Sequence, residues 1–290
     1  MNYNRVFYTN IIYRCNNNCI NCISHNTANK SKDDIFSMED LARLHEEENI
    51  CSSDLFIISG GEPTLSPYFE SIVNYLKTVN CNIVIYTNGT NLIKQELLNY
   101  PNLRLIVPLY GLEKSHNQII RNQTGFYRTT QFLKNYSLSE KIDLKILISD
   151  ETNYSEILSI ILKYRNNCKR IHISGITDKT FRPIFSKYSS IENIIKFMIT
   201  EKIEFKLSNI PLCRLNCIMK ILEPNNIETL FSSNRTFFVD NRHLREINYN
   251  KPTNWYKKCK NCKFNKVCTN TNLKYPVLLI KEKKVFLEEE

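Results

Sequence analysis

Short apolar runs alternate with helical stripes over the first two thirds of the chain. Val6–Tyr13 combines branched and aromatic residues without Gly or Pro, the pattern of a strand. Leu55–Ser59, Ile83–Tyr86, Leu103–Leu109, Leu144–Ile148 and Ile171–Ser174 are further short apolar runs, long enough for buried strands and too short for buried helices. Between them, apolar residues fall three and four apart: Phe69, Ile72, Val73 and Leu76; Ile157, Ile160, Ile161 and Tyr164; Ile191, Ile194, Ile195 and Met198. Each set predicts a helix with one buried face. Ser37-Met-Glu-Asp40 has the form of a capping box opening a helix that runs to Asn49. Helices are also predicted over Leu92–Tyr100, stopped by Pro101, and over Tyr127–Tyr136, and Ile203–Leu207 adds one more strand.

Six strand–helix units in succession imply a parallel sheet with right-handed crossovers. The strands read as apolar runs more than as alternations, as expected where both faces are covered. Such a sheet is either open and doubly wound or a partial barrel. The unusual residues favour the barrel. Cys15–Cys22, Gly60–Thr64, Thr87–Gly89 and Tyr110–Gly111 each follow a strand, so all four lie at the carboxyl ends of the strands, where such folds place their chemistry. The expected fold is therefore α/β, a partial (β/α)6 barrel of the TIM type over residues 1–205, with a small cysteine-rich domain over 206–290.

Composition narrows the class. A chain of 290 residues with 42% apolar content can bury a sizeable core. No run approaches a membrane span, and the start Met-Asn-Tyr-Asn-Arg lacks the apolar core of a signal peptide, which points to the cytoplasm. Eleven cysteines in that compartment argue for metal ligands over disulfides. The formal charge of +10 comes from lysines spread along the chain, which suits a generally basic surface better than a dedicated nucleic-acid site. No Ser/His/Asp constellation or phosphate-binding loop is evident, which argues against hydrolysis and nucleotide triphosphate use.

The cysteines carry the chemistry. Cys15, Cys19 and Cys22, spaced by three and two intervening residues, can fold three thiolates around one metal centre. A cluster held by three ligands keeps an open iron, whereas one held by four is built for electron transfer. The rival is a structural zinc knuckle with His25 as fourth ligand. In Ser59-Gly60-Gly61-Glu62-Pro63-Thr64, the two glycines let the backbone bend tightly and approach a ligand, and Glu62 can help hold a cation. Taken alone it is an ordinary turn, as is Thr87-Asn88-Gly89. Cys51, Cys81 and Cys168 each precede a strand, so they belong at the opposite end, as inert thiols. In the last third, Cys213 and Cys217 are followed by Cys259, Cys262 and Cys268 in a stretch with little apolar material. A metal crosslink would compensate for the missing core, and a zinc ribbon remains an alternative there.

The cysteine spacing, the Gly-Gly-Glu-Pro turn after the next strand and the Thr-Asn-Gly after the third together resemble the radical S-adenosylmethionine (radical SAM) superfamily. The resemblance implies that Cys15, Cys19 and Cys22 hold three irons of a 4Fe–4S cluster and that the fourth iron takes the amino and carboxylate groups of SAM. It further implies that Gly60, Gly61, Glu62, Pro63 and Thr64 form the methionine-binding loop, with Thr87, Asn88 and Gly89 beside it. SAM would be cleaved to a 5′-deoxyadenosyl radical that abstracts a hydrogen from substrate. The position before Cys22 is often aromatic in the family and is Asn21 here, which bears on how the adenine is held. The terminal cysteines resemble the auxiliary-cluster domain called SPASM, or its shortened form Twitch. Five cysteines after the barrel fit one auxiliary 4Fe–4S cluster, held by Cys213, Cys259, Cys262 and Cys268, with Cys217 spare or a substitute for Cys213.

Ile210-Pro-Leu-Cys213, the Pro108-Leu-Tyr-Gly111 segment and the terminal Cys triplet are similar to maturases of the His-Xaa-Ser-type subgroup, which is associated with ribosomally made, modified peptides. That likeness implies a peptide substrate undergoing crosslinking, oxidation or epimerisation, and a reductant such as flavodoxin or ferredoxin. His116 and Arg121 are candidates for the substrate path or solvated loop residues. With Cys15 already in the first strand–loop unit, a leader peptide would be recognised by a separate protein, by a second maturase, or at the barrel mouth. The alternatives are a Twitch-type oxidase of a small molecule or RNA, and a non-catalytic iron–sulfur or zinc protein. The Gly60–Thr64 loop argues against the last, since an electron carrier needs no amino-acid pocket.

Overall fold

The computed structural model describes residues 2–20, 22, 35–135, 140–150, 152–176, 188–211, 215, 227–229, 232–240, 243–247, 261 and 278–280. Seven parallel strands form its body: β1 (Asn2–Ile12), β2 (Leu55–Gly60), β3 (Asn82–Tyr86), β4 (Leu103–Pro108), β5 (Ile142–Ile148), β6 (Arg170–Gly175) and β7 (Phe205–Ser208), hydrogen-bonded in sequence order. Helices α1 (Met38–Glu48), α2 (Phe69–Thr78), α3 (Gln95–Leu98), α4 (Glu113–Ile120), α5 (Gly125–Asn135), α6 (Tyr154–Tyr164) and α7 (Tyr188–Thr200) fill the connections. This is the partial barrel expected from the alternation, with one strand more than six.

Packing decides most of these helices. Helix α6 is rich in β-branched isoleucine, a mediocre helix former, yet Ile157, Ile160, Ile161 and Tyr164 are all buried. Burying each such side chain contributes about 1.5–3 kcal/mol, against an intrinsic propensity spread of about 0.7 kcal/mol. Helix α1 begins as predicted. The Ser37 hydroxyl accepts from the Asp40 amide at 3.2 Å, the Asp40 carboxylate accepts from the Ser37 amide at 2.9 Å, and Asn49 ends the helix in a left-handed conformation.

One sequence expectation changes, and one helix is new. Only Gln95–Leu98 of the predicted 92–100 helix is helical, and Leu92 is largely exposed, because the loop after β3 continues through Thr90 and Asn91 before Ile93, Leu97 and Leu98 reach the core. Helix α4 was not legible: its buried face includes His116 and Asn117 as well as Ile120, so no apolar stripe marks it.

The sheet has two unlike faces. Outward residues such as Leu105, Leu144, Ile146, Ile171, Ile173 and Leu207 are fully buried under the helices. The inward face of β1–β4 carries a second, smaller apolar cluster: Val6, Tyr8, Leu55, Ile57, Val84 and Ile106. Inward positions on β5–β7 are polar or charged apart from Leu147, and β6 reads Arg170-Ile-His172-Ile-Ser174, a strict alternation.

Further strands lengthen both edges of the sheet. β8 (Ile227–Thr229), β9 (Ser232–Asp240), β10 (His243–Ile247) and β11 (Leu278–Ile280) bring the order to β10-β9-β1-β2-β3-β4-β5-β6-β7-β11-β8. β9 runs parallel to β1, and β11 antiparallel to β7. The described strands from residues 206–290 thus continue the barrel sheet. Among the described residues, no helix is long and apolar enough to cross a membrane.

Candidate functional site

The chain leaves β1 for the cysteine loop through an irregularity. The β1–β2 register shifts between Asn10 and Ile12, the kind of bulge that re-aims a strand end. The loop is closed at its base where the Phe36 amide donates to the Ile11 carbonyl at 3.0 Å and Ile12 bridges Ile35.

Gly60 and Gly61 sit against this stem. Gly60 has φ +131°, and a Cβ there would lie 2.1 Å from the Ile12 carbonyl oxygen. A Cβ on Gly61 would lie 2.2 Å from the Arg14 carbonyl oxygen. The close approach these glycines permit is therefore to the chain's own backbone. The Gly61 and Glu62 amides donate to the Ile12 and Arg14 carbonyls at 2.7 and 2.9 Å, which welds the second loop to the root of the first.

Glu62 extends that weld to the third loop. It is fully buried. Oε1 accepts from the Thr64 amide at 3.2 Å, the Thr64 hydroxyl at 2.6 Å and the Thr87 hydroxyl at 2.8 Å, while Oε2 accepts from the Asn88 amide at 2.7 Å. Burial pushes its carboxyl pKa up, against the opposing pull of these donors. Pro63 opens a short 3-10 turn over Pro63–Leu65, and the Gly89 amide donates to the Thr87 hydroxyl at 3.2 Å.

The three asparagines between Cys15 and Cys19 anchor the loop on two sides. Asn16 Oδ1 accepts from Asn88 Nδ2 at 2.7 Å, and Asn16 Nδ2 donates to the Thr90 hydroxyl at 2.8 Å. Asn17 Oδ1 accepts from Asn122 Nδ2 at 2.7 Å. The Asn18 and Ile20 amides donate to the Ile120 and Ile119 carbonyls at 3.0 and 2.9 Å, at the end of α4. Sequence reasoning missed Asn16, Asn17 and Asn122, because an asparagine run carries no signal of which neighbours will bind it.

Cys15, Cys19 and Cys22 are free thiols, each partly exposed. Cys15 Sγ accepts from the Asn17 amide at 3.4 Å and from Asn88 Nδ2 at 3.8 Å. Burial pushes the Cys15 thiol up to about 11 and the Cys19 thiol up to about 12, and the neighbouring cysteines add to both shifts. Burial and the neighbouring thiols thus both oppose the thiolate form at Cys15 and Cys19, and a cationic centre among the sulfurs would relieve both penalties. Among the described residues, no three His, Cys, Asp or Glu side chains are gathered as a single metal ion needs. Three soft donors on one loop fit an iron–sulfur cluster, which holds its ligands further apart than a tetrahedral zinc ion does. His25, the candidate fourth zinc ligand, lies outside the described residues, as does Asn21.

Tyr110 and His116 stand beside this loop. Burial, and then Cys19, Cys22 and Cys15, push the Tyr110 hydroxyl well above its ordinary pKa. The Tyr110 amide donates to His116 Nδ1 at 3.3 Å, and their rings stack at 5.5 Å. His116 is thus a buried residue of α4, and Arg121 caps that helix in a left-handed conformation. Cys81 is buried and Cys51 and Cys168 partly so, each just before a strand at the far end of the barrel. Cys213, Cys217, Cys259, Cys262 and Cys268 lie outside the described residues.

Known proteins match this arrangement in two ways. Residues 9–139 match the family model described as the Radical SAM superfamily. No curated protein sequence matches the chain. Among solved structures, Streptococcus suis SuiB bound to S-adenosylmethionine superposes with a TM-score of 0.57 at 14% identity, covering 71% of this chain and 50% of that one. SuiB bound to precursor peptide SuiA gives 0.63 at 13%, covering 92% and 71%. Native anSMEcpe with bound AdoMet and the Cp18Cys peptide gives 0.59 at 16%, covering 92% and 88%. At these identities the likeness is one of fold, and the chain spans only half of the SAM-bound SuiB chain. The cysteine loop, the Gly60–Thr64 turn and the Thr87–Gly89 turn all fall inside the segment that matches the Radical SAM superfamily model.

Proposed function

We propose that this chain is a radical SAM enzyme that modifies a ribosomally made peptide. The observation that carries the reading is the fusion of three loops at the carboxyl end of the sheet. Glu62, Thr87, Asn88 and Asn16 join the Cys15–Cys22 loop, the Gly60–Thr64 turn and the Thr87–Gly89 turn through one hydrogen-bond network. On this reading Cys15, Cys19 and Cys22 ligate a 4Fe–4S cluster, and Gly60–Thr64 with Thr87–Gly89 form the wall that receives the methionine end of SAM. A cluster held there would supply the electron for reductive cleavage of SAM, and with it the radical chemistry that takes a hydrogen from the substrate.

The residues contribute position and exclusion. Among the described residues Glu62 Oε2 has one donor, the Asn88 amide, and keeps acceptor capacity for an ammonium group. Asn88 reaches the Cys15 sulfur, and the end of α4 holds the outer side of the loop. Tyr110, His116 and Phe126 pack aromatic surface beside the sulfurs, which limits access of water and of solvent hydrogen donors. A peptide substrate is supported by SuiB and anSMEcpe, whose structures contain bound peptides. Residues 206–290 are proposed as a Twitch-like region with one auxiliary cluster on Cys213, Cys259, Cys262 and Cys268, which would take an electron from the product radical.

The test is anaerobic reconstitution followed by reduction in the presence of SAM. Release of 5′-deoxyadenosine and methionine is expected, and its loss on substitution of Cys15, Cys19 or Cys22 by Ala. A reconstituted, reduced cluster that leaves SAM intact would overturn the reading.

A further inference from the structure

Asn88, the middle residue of the turn after β3, is tied down at almost every polar atom. Its amide donates to Glu62 Oε2 at 2.7 Å, and its carbonyl accepts from the Thr129 hydroxyl at 2.9 Å. Its side-chain oxygen accepts from the Thr90 amide at 2.9 Å and from the Thr90 hydroxyl at 2.6 Å. Its side-chain nitrogen donates to Asn16 Oδ1 at 2.7 Å, and Asn16 Nδ2 donates in turn to the Thr90 hydroxyl at 2.8 Å. Asn88, Asn16 and Thr90 thus close a ring of side-chain hydrogen bonds. The ring fixes which way the Asn88 amide points. Turned over, it would set its oxygen against Asn16 Oδ1 and its nitrogen against the Thr90 amide, acceptor facing acceptor and donor facing donor.

A side-chain amide carries two hydrogens. The ring uses one, and the other is left for Cys15 Sγ, 3.8 Å from Nδ2. The same sulfur accepts from the Asn17 amide at 3.4 Å. Among the described residues, Asn88 is the one side chain that donates to the sulfur of Cys15, Cys19 or Cys22. The bland reading is that this contact only fastens the loop. The loop is fastened without it, by Asn16 in the ring, by Asn17 on Asn122, and by the Asn18 and Ile20 amides on the end of α4. A contact of this length adds little while the sulfur is neutral. It strengthens when the sulfur carries charge, since charge-assisted hydrogen bonds are roughly twice as strong as neutral ones. The contact therefore favours whichever state puts more negative charge on Cys15 Sγ.

We propose that Asn88 raises the reduction potential of a cluster held by Cys15, Cys19 and Cys22, through its Nδ2–H on the Cys15 sulfur, with Asn16 and Thr90 as positioning residues that keep the amide aimed. This deepens the proposed function and rests on it for the presence of the cluster. Hydrogen bonds to ligating sulfurs are one of the protein's levers on an iron–sulfur potential. Reduction adds one electron, supplied by a low-potential one-electron carrier, and moves no proton, so negative charge on the sulfurs rises. The Asn88 donor stabilises that reduced form more than the oxidised one. The electron then enters more easily and keeps less driving force for SAM. Asn88 also belongs to the turn proposed to receive SAM, so one residue faces both the sulfur and the molecule that the electron cleaves.

The test uses the full chain, reconstituted anaerobically, with no SAM present. Stepwise chemical reduction followed by electron paramagnetic resonance reads the potential of the centre whose signal is lost in Cys15→Ala. Asn88→Leu removes the donor at similar size and adds no charge. At a fixed potential, the ratio of reduced to oxidised cluster is expected to fall roughly threefold or more. Thr90→Val breaks the ring but leaves the Thr90 amide on Asn88 Oδ1. It is expected to lower resistance to urea and to leave the potential where it was. Equal falls in both variants would mean that a loosened loop shifts the potential, and would overturn the inference. Should Asn88→Leu assemble no cluster, the unaltered chain decides. With isotopically labelled nitrogen in its asparagine side chains, pulsed resonance of the reduced centre is expected to show coupling to one such nitrogen, and no coupling would overturn the inference. A Cys15-dependent cluster whose potential ignores Asn88→Leu would overturn it too, leaving the radical SAM reading standing. Iron that ignores Cys15→Ala would overturn both, so the two failures are distinguishable.

Discussion

Glu62 does two jobs at the scale of a single residue. Two of its four hydrogen bonds, from Thr87 and Asn88, join the second loop to the third, and on the proposed function its spare acceptor capacity faces the amino group of SAM. Glu62→Gln keeps the shape, removes the charge and sets a side-chain amide against at least one donor that needs an acceptor. Leaving the Asn88 amide unmet costs about 1–3 kcal/mol. Unfolding in urea should therefore show a loss of that size. Losing a charge-assisted bond of about 1.5–3 kcal/mol should weaken SAM by roughly tenfold or more, with iron content unchanged. Equilibrium dialysis with the reconstituted protein reads the second effect. Weakened stability with unaltered SAM affinity would leave Glu62 a purely structural joint.

At the scale of an element, α4 is the least expected part of the site. It presents its last carbonyls to the Asn18 and Ile20 amides, so the outer wall of the cysteine loop is as firm as this helix. Its buried histidine makes that wall sensitive to acid. His116 is held neutral by burial, with its pKa lowered to about 4 from an ordinary 6.5. A histidine with a depressed folded-state pKa is favoured by folding only while neutral. The unfolded chain binds more protons between pH 6.5 and 4, so stability falls as pH falls through that window. From pH 7 to pH 5 the loss from this one group is about 2 kcal/mol. His116→Phe should flatten the pH dependence of urea unfolding by about that amount; an unchanged slope would show that the ring is solvated in solution. His172 is shifted in the same direction and adds to the same trend.

The whole molecule joins its two ends through one sheet. β9 lies beside β1 and β11 beside β7, so segments from the last third flank the strands that frame the site. On the proposed function, the last third also carries the cysteines of an auxiliary cluster. Replacing Cys259, Cys262 and Cys268 by Ala should remove about half of roughly eight irons per chain, as two 4Fe–4S centres require. Some SAM cleavage uncoupled from product should remain. Stoichiometric zinc in anaerobically purified protein, with iron unchanged by the substitutions, would instead assign those cysteines to a ribbon.

The elements with apolar periodicity were legible one by one. Val6–Tyr13, Leu55–Ser59 and the Ile157–Tyr164 stripe appear where their patterns put them, because burial of isoleucine and leucine outweighs every local preference. The loop order was legible too, since a parallel sheet sends each strand's carboxyl end to the same face. The sequence by itself therefore determined the barrel, its chemical face and the three thiols on it. Three things were left to tertiary structure. Gly60 and Gly61 turned out to make room for residues 12–14, because a glycine records that something comes close without recording what. Helix α4 forms around polar residues whose partners lie in other loops, so no periodicity could announce it. The cations of β4–β7 are separated by tens of residues along the chain, and only the strand registers show that Arg104, Lys145, Arg170 and Lys206 lie on one face of the sheet, where Asp143 pairs with Arg170 and Lys206. Apolar burial is read from the spacing of neighbours in sequence, whereas ion pairing and hydrogen-bond closure depend on distances that exist only once the sheet has formed.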